Sequence, residues 1–198
     1  MTAPFAQGSL GRSRASATNL NLIGVTNKMV LALIAEMLVL ICVCWLVFFL
    51  SAFAHELGHA LVYILITGNA HWHIRVGSGK SLLKTQHFTI KLAAIDGEFN
   101  TNEDSMESKT AILTLLGGPL LSLILVGILL YTRLNIVTFD SVIFSSEAIL
   151  SILNLSLFVN ISILLHTLAP IHYFWGEIKG MESDILQIVH IIKSKRNN

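Results

Sequence analysis

Charge is scarce in this chain. Only 13% of its 198 residues are Asp, Glu, Lys or Arg, and the formal net charge is +1. So even a balance supplies no basic field for nucleic acid and no acidic tail, and nucleic acid is not an expected partner. Cysteine is scarcer still. Cys42 and Cys44 are the only two, and they lie in an apolar run. Two positions apart, they face different directions on a helix, and a disulfide framework or zinc knuckle needs more cysteines at other spacings. They read as ordinary packing residues. Hydrophobic residues make up 54% of the sequence. A soluble core of one domain cannot hide that much apolar side chain, so the long uncharged runs point to a lipid bilayer as solvent.

Residues 1–28 hold Arg12, Arg14 and Lys28 but no acid, among Ser, Ala, Thr, Gly and Asn. They read as a mobile tail, without the amphipathic pattern of a targeting peptide. Residues 29–67 are almost wholly apolar, interrupted by Glu36 and the cluster His55-Glu56-Leu57-Gly58-His59. As one helix they extend about 58 Å, against roughly 30 Å of hydrocarbon, so the run either tilts beyond the bilayer or breaks into two helices. Glu36 near its start reads as interfacial or paired. From residue 70 the period changes to two. Trp72, Ile74 and Val76 alternate with His71, His73 and Arg75; Phe88, Ile90 and Leu92 alternate with His87, Thr89 and Lys91. That predicts two strands joined across Gly77-Ser78-Gly79, with a turn at Asp96-Gly97 and an acidic patch at Glu103, Asp104 and Glu107. Ala111–Tyr131 and Ala148–Leu168 are further apolar runs. In the third run Ser156, Asn160 and Thr167 fall on one stripe, which should face protein rather than lipid. Pro170 ends it, Asp184–Ile192 is too short to span, and residues 193–198 form a basic tail.

These runs predict an all-α membrane protein: a three-helix transmembrane core over residues 29–192, with a small β-hairpin after the first core helix. Three spans put the two chain ends on opposite sides. The 1–28 tail and 132–147 loop carry four basic residues, whereas the 68–110 loop and C-terminal segment carry nine. The positive-inside rule therefore places the second side, and the C-terminal end of the first run, in the cytoplasm.

The chemistry concentrates in one motif. His55-Glu56-Leu57-Gly58-His59 is H-E-x-x-H. On a helix, residues four apart project from one face, so His55 and His59 can grip one Zn²⁺. Glu56 lies beside them, placed to accept a proton from a water held there. Two His and a Glu inside an apolar run are costly unless they are partnered or functional. A catalytic zinc wants a third protein ligand and one open position. Spans one and three run parallel, so residues just after span three return to the depth of the motif. Asp184 is the leading candidate there, with Glu177, Glu182, His166 and His172 as alternatives on topology alone.

At this point the chain resembles the site-2 protease family of intramembrane zinc metalloproteases. The resemblance covers residues 40–192 and rests on HELGHAL (55–61), Gly117-Gly118-Pro119-Leu120, Thr167-Leu168-Ala169-Pro170 and Ser183-Asp184-Ile185, in that order. It implies a multi-pass protease whose substrates are membrane proteins, with Asp184 as the third zinc ligand. It implies that the strand segment is membrane-associated and pairs with an unwound substrate, with Ile74, Val76, Phe88 and Ile90 as its contact residues. Thr167 stands where the family has an Asn thought to steady the oxyanion, Ile185 replaces the Gly after the liganding Asp, and Ser122 stands where an Asn often follows Gly-Pro. These replacements motivate an alternative, a non-catalytic membrane scaffold that retains the protease fold. Two weaker patterns are set aside. Gly79-Lys80-Ser81 lacks the earlier glycine of a phosphate loop, because Ile74 stands there, and His71-Trp72-His73 lacks a third ligand.

Overall fold

A computed structural model describes the backbone of residues 10–101, 106–135, 146–174 and 176–197, with side chains for 28–101, 106–135, 147–174 and 176–196. Among these residues there are four helices, α1 (Leu10–Thr67), α2 (Ser108–Asn135), α3 (Ser146–Leu168) and α4 (Asp184–Asn197). One antiparallel sheet is made of β1 (Trp72–Lys84) and β2 (Phe88–Thr101). Three stretches, Lys28–Thr67, Ser108–Asn135 and Glu147–Leu168, are long and apolar enough to cross a membrane.

Residues 1–42 and 43–198 form separate units. In the first, the backbone is helical from Leu10, inside the segment read as a tail, and every described side chain from Lys28 to Cys42 is exposed. Residues 1–9 lie outside the described residues, as do Glu103, Asp104 and positions 136–145 of the expected loop. At the other end, α4 runs through most of the expected basic tail, to Asn197.

The second unit is organised by α1. Trp45, Phe49 and Phe53 recur every four residues, so they form one stacked row along a single face. That row packs on the hairpin: Phe53 meets Phe88, and the Trp45 indole N–H donates to the Leu92 carbonyl at 2.6 Å. Ala52 and Ala60 of α1 form a buried cluster with Ile74 and Val76 of β1. A different face of α1 meets α2 with no side chain between them. A Cβ on Gly58 would stand 2.9 Å from the Leu121 Cβ and closer still to the Gly117 carbonyl oxygen. Small residues let helix backbones approach this closely. The polar stripe of α3 does turn inward: Asn160 and Thr167 are buried, and the Asn160 amide donates to Ser51 Oγ of α1 at 2.9 Å.

The hairpin departs from the expected one. Gly77-Ser78-Gly79 does not connect two strands but lies inside β1, and Asp96-Gly97 lies inside β2 rather than at a turn; the chain reverses at 85–87. Residues 74–76 pair with 97–99 on one side and 88–90 on the other, so the ribbon folds back on itself. Gly77 and Gly79, at φ +90° and +84°, permit the bend. The alternation identified strand, but a period of two carries no information about a ribbon bent in mid-strand.

Candidate metal centre

His55 and His59 lie one helical turn apart on α1, with 3% and 4% of their surface exposed. Each ring is fixed by its Nδ1. His59 Nδ1 lies 2.8 Å from the Thr114 carbonyl oxygen of α2. A carbonyl only accepts, so Nδ1 carries the hydrogen and the Nε2 lone pair is left free. In a regular helix that carbonyl would take the Gly118 N–H, which here also lies 3.3 Å from His59 Nδ1. His55 Nδ1 lies 2.9 Å from Ser122 Oγ. Thr114, Gly118 and Ser122 share one face of α2 at intervals of four.

Asp184 arrives from the other end of the chain as the first residue of α4. Ser183 caps that helix: its Oγ accepts the Leu186 N–H at 3.4 Å and donates to the Ala169 carbonyl at 2.6 Å. The Asp184 Oδ2 then stands 3.2 Å from His55 Nε2 and 3.5 Å from His59 Nε2, and the two Nε2 atoms are 3.3 Å apart. Burial alone would raise the Asp184 carboxyl, but the two imidazoles outweigh it and hold it at about 2. Three lone-pair-bearing atoms therefore converge, both imidazoles having spent Nδ1 elsewhere. One cation would satisfy all three, and His55, His59 and Asp184 could hold a metal ion.

These residues open onto a cavity of about 480 Å³. Glu56 faces it and lies under β2: a Cβ on Gly97 would stand 2.5 Å from Glu56 Oε1. Residues 94–100 of β2 form one wall and α3 another, with Thr167 among the lining residues. The Thr167 hydroxyl donates back to the Leu164 carbonyl at 3.2 Å, within its own helix. Ile74, Val76, Phe88 and Ile90 do not line the cavity; Ile74 and Val76 are core residues, each 1% exposed. Among the alternatives for the third ligand, Glu182 is engaged with His190 and His172, and Glu177 with Lys91 and Arg75. His166 lines the cavity, with Nδ1 2.7 Å from the Ser162 carbonyl oxygen.

Tyr173 is a cavity residue that the sequence did not mark. Burial, then the Asp184 and Glu56 carboxylates, push its phenol above the usual range, so it stays protonated at neutral pH. No periodic pattern surrounds it. The roles of Thr114 and Ser122, by contrast, were recoverable from their spacing about Gly118.

Gly118 gives a direct test of the geometry. A Cβ there would stand 2.7 Å from His55 Nε2 and nearer still to His59 Nε2. Overpacking of this kind costs about 1–3 kcal/mol, here borne by rings that must turn aside. Gly118→Ala is therefore expected to weaken metal binding by about 10-fold or more, read by competition with a chelating dye. Gly127→Ala on the same helix, where a Cβ meets open space, is the neutral control.

A scan against protein-family models finds no match, and searches of curated proteins and of solved structures find none.

Proposed function

We propose that this chain is an integral-membrane zinc endopeptidase of the site-2 protease type, cutting membrane proteins within or beside the bilayer. One observation carries the reading. Ligands at about 2.0–2.1 Å from a tetrahedral zinc lie about 3.3–3.4 Å from one another. The separations among His55 Nε2, His59 Nε2 and Asp184 Oδ2 are 3.2, 3.3 and 3.5 Å, the edges of one face of such a tetrahedron. The cavity adjoins that face, which leaves the fourth position for a reactant. When bound, zinc would supply a Lewis acid and an acidified water. Glu56 would accept the proton of the attacking water and return it to the leaving amine. The protonated Tyr173 phenol is a hydrogen-bond donor on the cavity wall.

The substrate would be a single-span membrane protein or its juxtamembrane stub. Its backbone would add to strand 94–100, which gives grip with little sequence preference. This moves the substrate contact from Ile74, Val76, Phe88 and Ile90 to the strand beside Glu56. The positive-inside count supports a site on the cytoplasmic side. The rival reading, a non-catalytic scaffold, has one observation in its favour: the Thr167 hydroxyl is committed to its own helix.

The expected result is one zinc per chain in protein purified in detergent. Chelation should stop cleavage of a single-span reporter, and stoichiometric zinc should restore it. Zinc at one per chain with no turnover would favour the scaffold. Absence of bound metal after zinc addition would sink both the zinc site and the protease.

A further inference from the structure

We infer that Asp96 and Arg75 of the hairpin form a latch on Gly176 and Glu177, and that these are positioning residues for the Asp184 ligand. The inference rests on the metal-centre reading of Asp184. Residues 171–173 and 180–183 pair with each other. Tyr173 N–H donates to the Met181 carbonyl at 2.9 Å, Gly180 N–H to the Tyr173 carbonyl at 2.7 Å, and Ser183 N–H to the Ile171 carbonyl at 3.0 Å. The base of this pair therefore ends on Asp184, while Tyr173 sits on the cavity wall.

The far end is gripped by charge. The Asp96 side chain is wholly buried, and its Oδ2 accepts from the Glu177 backbone N–H at 2.9 Å and from Ser78 Oγ at 2.5 Å. Its Oδ1 accepts from Arg75 Nη1 at 3.3 Å. Arg75 also donates to Glu98 at 2.9 Å and pairs with Glu177 at 3.7 Å. The Glu177 carboxylate pairs with Lys91 and accepts the Gly79 N–H at 2.9 Å. Lys91 and that N–H hold its carboxyl below the usual range. Gly176 makes the grip possible. Its φ of +66° suits glycine, and a Cβ there would collide with Asp96 Oδ2.

The latch thus joins two parts of the site. Gly97, next to Asp96, leaves the space that the Glu56 carboxyl occupies, and the gripped segment ends at Asp184. A buried carboxylate with three donors is costly to disturb, so the grip is stiff. Groups that orient a metal ligand from behind are worth about 10–100-fold in metal affinity.

The test uses the full chain with Cys42 and Cys44 replaced by Ser. Asp96→Ala and Gly176→Ala break the latch from its two sides. Each should weaken Co²⁺ binding by about 10–100-fold and alter the visible band of the bound ion. Asp96→Asn keeps one oxygen acceptor for Ser78 and the Glu177 N–H but turns an amide NH2 toward Arg75, so it should recover only part of that affinity. In a separate set, Tyr173→Cys reports the cavity wall: a water-soluble maleimide should label it faster once the latch is broken. Unchanged cobalt affinity, band and labelling in both latch variants would overturn the inference. If the parent binds no cobalt, the metal-centre reading fails, and the labelling rate alone decides whether the latch exists.

Discussion

Replacing Glu56 by Gln is expected to lower peptide-bond cleavage by about 10²–10⁴-fold while zinc stays bound. The two halves of that expectation have separate causes. Glu56 lies outside the group of three convergent ligand atoms, so its charge is not needed to hold the ion. Gln has nearly the same shape and keeps the close packing under Gly97. What it cannot do is accept a proton at neutral pH. The loss should therefore fall on kcat, with KM little changed, because the proposed substrate contacts along strand 94–100 are untouched. Single-turnover cleavage of a membrane-protein reporter, with zinc content measured on the same samples, checks both halves. Cleavage at the parent rate would remove Glu56 from the mechanism.

Asp184→Ala should have the opposite signature, losing the ion and the activity together. Removing a group behind a ligand costs about 10–100-fold in affinity, so removing the ligand itself should cost more than about 100-fold. The variant would leave two imidazole lone pairs facing each other across 3.3 Å, with their anionic partner gone. Glu182→Ala is the matched control. Glu182 also borders the cavity, but its carboxylate is taken by His190 at 2.9 Å. Zinc per chain should fall in the first variant and hold in the second. Equal zinc content in both would mean that another group completes the site.

Part of this site was legible in the residues alone. Spacing of four places His55 and His59 on one helical face, and Glu56 follows from adjacency. Asp184 needed topology to bring it near and the family resemblance to choose it over Glu177, Glu182, His166 and His172. The three apolar stretches and the inward stripe of Asn160 and Thr167 followed from composition and the helical period. The strand segment was legible only in kind. Its alternation gave strand, but the bend at Gly77–Gly79 depends on a fold-back between residues distant along the ribbon. The cavity wall at 94–100 went unmarked because Asp96-Gly97 has turn chemistry, and tertiary pairing overrode that local preference. Tyr173 and the latch were invisible for a related reason: they are assembled from single residues on three segments, and no one window of sequence contains the pattern.

The crossing of α1 and α2 at Gly58 and Gly117 has a thermal consequence. Side chains hop between rotamers and swing as temperature rises, whereas the two backbones resting on each other are held by their own helical hydrogen bonds. The distance from the His59 ring to its anchoring carbonyl is therefore set by two helix backbones in contact rather than by side chains that swing. Warming the protein, or exchanging the amphiphile around it, should blur the outer helical surface long before it changes the distance between His59 and Thr114.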